Sequence, residues 1–208
     1  MISFGYLVII FLVLASASLM RFRSISSQSR PVRKDHSHLM ILLGSGGHTG
    51  EMLRMIDSID LSKFSNRTWV YTSGDAMSIE KARVYEKGDS RSYQFVEVPR
   101  ARKVGEGLLS TMKSSFISGW ACVNLLLMAP DLILTNGPGT AVIICGIAYI
   151  LKFFGILTTR IVYIESLARV EDLSLSGKLL RPICNRFIVQ WPQLAAKYPG
   201  SEYFGIMV

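Results

Sequence analysis

The chain opens with an unbroken apolar stretch and then changes character. No charged side chain occurs from Ile2 to Met20, close to the roughly 20 residues that a helix rising about 1.5 Å per residue needs to cross a hydrocarbon core. Residues 1–20 are therefore expected to form a transmembrane anchor. Residues 21–37 are polar, basic and serine-rich, with no apolar period of either kind, and read as a linker. Beyond it, short aliphatic or β-branched runs alternate with longer helical patterns. The runs are His38–Leu43, Thr68–Thr72, Tyr93–Val98, Asp131–Thr135, Arg160–Ile164 and Arg186–Gln190. Helices are expected over Gly50–Ile59, Ser78–Lys87, Val104–Met128, Thr140–Phe154 and Ser174–Arg181.

This alternation predicts parallel βαβ units. The strand segments are almost continuously apolar, as in LMILL, DLILT and RIVYI, which is the pattern of strands covered by helices on both faces. The expected fold is α/β, a Rossmann-like doubly wound parallel sheet over residues 38–208. Two of the helical segments, Phe116–Met128 and Ala141–Leu157, are apolar enough to invite reading as further spans. Glycine and proline shorten the first and Lys152 interrupts the second, so both read as helices buried against the sheet. An alternative for Leu108–Met128 is a helix lying in a bilayer surface.

With 208 residues, the chain has room for one ordinary domain and a short appendage. Half of its residues are hydrophobic and the mean hydropathy is +0.34, more apolar than a typical soluble domain. The net charge of +8 asks for an anionic partner. Much of it follows the first apolar run, at Arg21, Arg23, Arg30, Arg33 and Lys34, while no Lys or Arg precedes that run. The bias holds the later flank in the cytosol, and it also weighs against a cleaved secretory signal, the rival suggested by Ala15-Ser16-Ala17. Lipid headgroups explain the basic flank better than nucleic acid, for which no motif or interleaved aromatics appear. Three scattered cysteines, Cys122, Cys145 and Cys184, lie in apolar sequence and read as small core residues.

Candidate chemistry collects at strand ends. The first strand runs into Gly44-Ser45-Gly46-Gly47-His48-Thr49-Gly50-Glu51, a turn that brings backbone N–H groups to a helix N-terminus, where anions bind. As a dinucleotide fingerprint it lacks the third glycine, since residue 49 is Thr, and no acid closes the second strand, so a nicotinamide cofactor is a poor alternative. The fourth strand ends in Thr135-Asn136-Gly137-Pro138-Gly139-Thr140. In strand order 3-2-1-4 these two turns flank one crevice. The fifth strand adds Glu165, which with His48 makes the titratable pair at the ligand face. His48 could instead cap its helix, and Glu165 could cap a turn or pair with Arg169. Arg100 and Arg102, after the third strand, offer charge to a diphosphate or to anionic lipid.

The blocks GSGGHTGEM, PRARKVGEG, PDLILTNGPGT, VYIESLARVEDLSLSGKLL and FIVQWPQLAAKYP resemble the asparagine-linked glycosylation fourteen family over nearly the whole chain from Leu39 onward. The first glycine turn is also similar to that of the bacterial lipid-linked muropeptide N-acetylglucosaminyltransferases of the GT-B class. The resemblance implies a membrane-anchoring, acceptor-binding subunit of a UDP-GlcNAc transferase. That enzyme adds the second GlcNAc, with inversion, to dolichyl-diphosphate-GlcNAc at the cytosolic face of the endoplasmic reticulum and nuclear envelope.

It implies the N-terminal half of a GT-B enzyme, with the donor half supplied by a soluble subunit, the glycosylation thirteen protein, so the chain alone would be inactive. A last apolar run follows Glu202, and Tyr203, Phe204, Ile206 and Val208 would dock that partner. His48 or Glu165 would be the catalytic base. Ser45, Gly46, Gly47, Thr49, Gly50, Arg100, Arg102, Asn136, Gly137, Gly139 and Thr140 would bind substrate. Neither a metal nor a cofactor is implied. A scaffold that only recruits the partner, and a self-sufficient nucleotide-binding enzyme, are the rival functions.

Overall fold

The computed structural model describes residues 4–26, 37–87, 92–99, 120–137 and 139–208, the side chains of 4–11, 14, 23 and 26 excepted. Seven strands form one sheet in the order β3-β2-β1-β4-β5-β6-β7. They are β1 (Ser37–Leu42), β2 (Phe64–Thr72), β3 (Ser92–Val98), β4 (Leu132–Thr135), β5 (Arg160–Ile164), β6 (Arg186–Val189) and β7 (Glu202–Tyr203). Every neighbouring pair is parallel. The order reverses between β1 and β4, which leaves a crevice at the carboxyl ends of those two strands.

Burial follows the strand period of two. In β1 and the residue after it, Met40 and Leu42 enter one core while Leu39, Ile41 and Leu43 enter the other. Met52, Met55 and Ile56 of α2 (Gly47–Asp57) and Ala82 of α3 (Ala76–Tyr85) close the second core. The first core is closed by α4, described over 120–126, with α5 (Thr140–Phe153), α6 (Leu175–Leu180) and α7 (Pro192–Lys197). Each large apolar side chain removed from water this way contributes about 1.5–3 kcal/mol.

Several buried charged groups are paired. Arg67 and Glu86 are both buried and meet in a fork of 2.7 and 2.6 Å, and the Trp69 indole N–H donates to the same carboxylate at 2.6 Å. Ala141, Ile144, Cys145, Ala148 and Lys152 form the inward stripe of α5. Lys152 is 3% exposed and its ammonium donates to Asn185 Oδ1 at 2.8 Å. Burial pulls its pKa down to about 8. Cys122 and Cys145 are buried and Cys184 partly so, and none of the three is in a disulfide.

The expected boundaries shift in four places. The first helix, α1 (Phe4–Ser26), runs past residue 20, so 21–26 are helical and not linker. Its last turns are fastened to α5: Arg21 donates from Nε to Phe153 O and from Nη2 to Lys152 O, both at 3.0 Å, capping the α5 carboxyl end with positive charge. Phe22 packs edge-on against Tyr149, and Ile25 is buried. No helix among the described residues is long and apolar enough to cross a membrane, and the side chains on which the anchor expectation chiefly falls lie outside the described residues. β2 starts at Phe64, ahead of Thr68, because Phe64 is buried and pairs with Ser37. β7 is an additional short strand. Most of the expected Val104–Met128 helix, with Arg100 and Arg102, lies outside the described residues.

Candidate functional site

The fourth shift bears on the site. α2 begins at Gly47, three residues before its expected start, so His48 and Thr49 belong to a helical first turn and not to a loop. Gly46 (φ 64°) precedes α2 and Gly139 (φ 38°) precedes α5, and neither helix has a side-chain cap. By contrast α3 and α6 are capped by Asp75 and Ser174. The first-turn N–H groups at the switch point are thus not taken by a capping side chain, and two positive helix ends converge there. Beyond the adjoining residues and the helix's own backbone, no atom of the described residues lies within 4 Å of where a Cβ would sit on Gly46, Gly47 or Gly139, which leaves room for a ligand to approach the backbone.

The two turns also hold each other. A Cβ on Gly44 would stand 2.6 Å from His48 Cβ and 3.3 Å from Gly137 Cα, so only glycine allows β1 and β4 to end this close. Asn136 Nδ2 donates to the His48 carbonyl at 2.9 Å. Asn136 is 1% exposed, and its Oδ1 has no hydrogen-bond partner among the described residues. Gly137 N–H donates to Thr135 Oγ1 at 3.1 Å. The expectation that these turns flank one crevice is met.

Thr49, expected among the substrate ligands, faces inward. It is buried and donates its hydroxyl to Gly44 O, and it meets Ser78 Oγ at 2.6 Å. Ser78 Oγ also stands 2.7 Å from Asp75 Oδ2, so its one proton is shared between Thr49 and that carboxylate. This network fixes the turn. Ser45, Gly46, Gly47 and Gly139 are exposed at the crevice mouth, Gly50 and Thr140 are half-buried, and Gly137 is buried.

A cavity of about 800 Å³ lies on the β4–β5 side of the switch point, lined by His48, Asn136, Gly139, Val142, Ile143, Tyr163, Glu165, Ser166, Arg169 and the first turn of α6. Its size falls in the range of small-molecule sites. A smaller one, of about 220 Å³, lies across the Gly44 turn and shares Gly139. Both titratable residues expected from the sequence thus line one cavity, in different states. The His48 side chain is about a third exposed, at 34%.

Glu165 is 1% exposed and its carboxylate is occupied. Oε2 accepts from Ser174 N–H at 3.0 Å and from Ser174 Oγ at 3.1 Å, and Oε1 accepts from Ser166 N–H at 3.1 Å. The Tyr163 hydroxyl stands 3.5 Å from Oε1. Burial, reinforced by this carboxylate, raises Tyr163 well above the usual phenol range and keeps it a donor. The turn-capping role of Glu165 is therefore the one seen, with Ser174 and Ser166 in place of Arg169. Arg169 is exposed at the rim, the one permanent cation among the described residues lining the cavity.

Sequence reasoning passed over Glu51. It lies one turn beyond His48 on α2, with Oε2 at 4.0 Å from His48 Nδ1 and Oε1 accepting from Ser166 Oγ at 3.0 Å. The i,i+3 spacing of His48 and Glu51 was the available signal. In the tail, Tyr203, Phe204 and Ile206 point outward, whereas Met207 and Val208 pack against the second core. Val208, expected at a partner contact, is thus in use within the chain. Met207 N–H donates to Gln190 Oε1 at 3.2 Å, and the Arg186 guanidinium stands 5.2 Å over the Phe204 ring.

The profile described as oligosaccharide biosynthesis protein Alg14 like matches residues 39–207. The UDP-N-acetylglucosamine transferase subunit ALG14 of Yarrowia lipolytica is 48% identical over 182 residues, covering 85% of this chain and 84% of that protein. Its namesake in Candida albicans is 50% identical over 171 residues, with coverages of 82% and 78%. That of Mus musculus is 43% identical over 185 residues, with coverages of 84% and 85%. Among solved structures, UGT89C1 of Arabidopsis thaliana complexed with quercetin superposes with a TM-score of 0.52 at 12% identity, over 84% of this chain and 51% of that one. The chain spans about half the length of that structure, and the likeness is one of fold. With the profile running from the first strand to the penultimate residue and relatives this similar over most of their length, the chain belongs to the Alg14-like family.

Proposed function

We propose that this chain is the acceptor-binding, membrane-anchoring subunit of a UDP-GlcNAc transferase. In this reading it supplies the N-terminal half of a GT-B enzyme, and a soluble subunit, the glycosylation thirteen protein, supplies the donor half. The complex adds the second GlcNAc to dolichyl-diphosphate-GlcNAc on the cytosolic face of the endoplasmic reticulum membrane. One observation carries the reading: a half-buried histidine and two uncapped helix ends share the mouth of one cavity at the switch point.

Inverting transfer needs a base at the acceptor hydroxyl and support for anionic phosphate. His48 is the base. It takes the hydroxyl proton as that oxygen attacks the anomeric carbon of the donor sugar, and UDP leaves with the electron pair of the broken bond. Glu165 is the framework beneath, since its lone pairs already hold the α6 turn. The N-termini of α2 and α5, with Arg169 at the rim, face the acceptor diphosphate. Asn136 Oδ1, an acceptor without a partner among the described residues, suits a hydroxyl or amide N–H of the bound sugar. The outward Tyr203, Phe204 and Ile206 suit a contact with the partner subunit. The apolar run at 2–20 and the basic residues after it support the anchor.

The test is transfer of radiolabelled GlcNAc from UDP-GlcNAc to phytanyl-diphosphate-GlcNAc, in membranes carrying this chain alone, the chain with its soluble partner, or a His48→Ala chain with the partner. The reading expects activity in the wild-type pair only. Activity surviving His48→Ala reduces the chain to a recruiting platform. Activity without any partner overturns the half-enzyme reading.

A further inference from the structure

His48 leaves one nitrogen unaccounted for. Its Nδ1 is buried and has no hydrogen-bond partner among the described residues, and the same holds for Glu51 Oε2. These two atoms face each other at 4.0 Å, so a movement of about 1 Å would bring them to ordinary hydrogen-bond distance. Catalytic hydrogen bonds are often this long before substrate binds and tighten in the complex.

The carboxylate is held from behind. Ser166 Oγ accepts from Ala168 N–H at 3.3 Å, which leaves the serine proton to be donated to Glu51 Oε1 at 3.0 Å. Ser166 itself is tied to the β5 end through its own N–H, which donates to Glu165 Oε1. A directional series therefore runs from the β5 turn through Ser166 and Glu51 to the buried edge of the imidazole. On the opposite side, Asn136 fixes the His48 main chain.

We infer that Glu51 is the positioning residue of His48. By accepting the Nδ1 proton it sets the tautomer in which Nε2 carries the free lone pair. It also faces the imidazolium that forms when Nε2 takes the acceptor hydroxyl's proton. The proposal rests on His48 being the base. It differs from the bland role of an acid toward the amino end of α2 that merely favours the helix dipole, because such an acid would act on stability and not on turnover.

The experiment uses membranes co-expressing this chain with its soluble partner and reads kcat and KM for phytanyl-diphosphate-GlcNAc. The variants are Glu51→Gln, Ser166→Ala, His48→Ala and the double variant His48→Ala with Glu51→Gln. Partner capture serves as the folding control. Glu51→Gln is expected to lower kcat on the order of tenfold to a hundredfold, within or below the ~10²–10⁴ that acid–base catalysis itself supplies, with KM within about twofold. Ser166→Ala, a milder change that leaves the carboxylate in place, is expected to lower kcat by about threefold to fivefold. On the His48→Ala background, Glu51→Gln is expected to add less than about twofold, because residues acting as a unit are not additive.

Near-normal kcat in Glu51→Gln and Ser166→Ala beside a crippled His48→Ala would sink the positioning role and leave the base intact. Multiplying losses in the double variant, or a change confined to KM, would do the same. Full activity of His48→Ala would remove the base reading and this inference with it.

Discussion

Gly44 and Gly137, one at the end of β1 and one at the end of β4, stand so close that a Cβ on either would lie 3.3 Å from the Cα of the other. On Gly44 the added atom would also fall 2.6 Å from His48 Cβ, an atom held by the main chain and unable to swing aside. Gly44→Ala is therefore expected to push the α2 turn off its seat, lowering transfer at least about tenfold and destabilising the domain by about 1–3 kcal/mol, the usual range for overpacking. Gly137→Ala should cost less. Gly47→Ala meets open space and should leave folding within about 0.5 kcal/mol. Thermal unfolding of the solubilised complex beside its transfer rate would read both effects.

Glu165→Gln separates framework from chemistry. An amide presents one acceptor oxygen where the carboxylate presents two, so one of the buried N–H donors of Ser166 or Ser174 would face an NH₂ group. The expected cost is about 1–3 kcal/mol, seen as an earlier thermal transition. Below that transition, kcat should fall much less than in His48→Ala.

The pair Arg67 and Glu86 should respond strongly to single substitution. Glu86→Ala leaves a buried guanidinium without its carboxylate and the Trp69 indole N–H without its acceptor, for an expected loss of about 3–5 kcal/mol. Glu86→Ala combined with Arg67→Met should recover part of it. Denaturant midpoints of the two variants would decide, and equal losses would contradict the pairing.

Lys152 gives a pH signature with a defined sign. Its folded pKa, about 8, lies below the model-peptide value of 10.5, so between those limits the unfolded chain binds more protons and stability gains with rising pH. Cys184 beside it, pushed up to about 12 by burial against the opposing influence of Lys152, acts the other way above its ordinary value of 9.0. Relative to Lys152→Met, the wild-type domain should therefore gain stability as pH rises from about 8. A wild-type profile parallel to that of the variant would refute the assignment.

The tail divides by orientation. Phe204→Ala and Ile206→Ala, both on outward side chains, should weaken capture of the soluble partner by about tenfold together while leaving the domain's thermal transition in place. Met207→Ala should lower that transition, because Met207 packs on the second core. Equal effects on capture from Met207→Ala and Phe204→Ala would contradict the division.

Much of the molecule was legible in the residue pattern because parallel strands covered on both faces are nearly continuous apolar runs. β1, β4, β5 and β6 were placed within a residue or two of their observed ends. Local signals misled where tertiary contacts decide. Phe64 starts β2 only because Ser37 pairs with it, and residues 21–26 are helical because Arg21 and Phe22 find α5. Glycine composition suggested a loop at 47–49, yet the first turn of α2 forms there, its N–H groups left without a capping side chain. The crevice followed from strand order, but the states of its residues did not. Sequence could not show that Glu165 is occupied by Ser166 and Ser174, or that Glu51 and not Glu165 is the carboxylate facing the imidazole.

The join between α1 and α5 has a consequence for how the crevice is aimed. The carboxyl end of α5 is gripped by Arg21, and its amino end, at the other end of a 14-residue helix, borders the cavity at Gly139 and Val142. A swivel between the leading helix and the sheet would let the opening face any direction. Bolted together in this way they share one heading, so whatever holds the far end of α1 also sets the compass bearing of the cavity mouth.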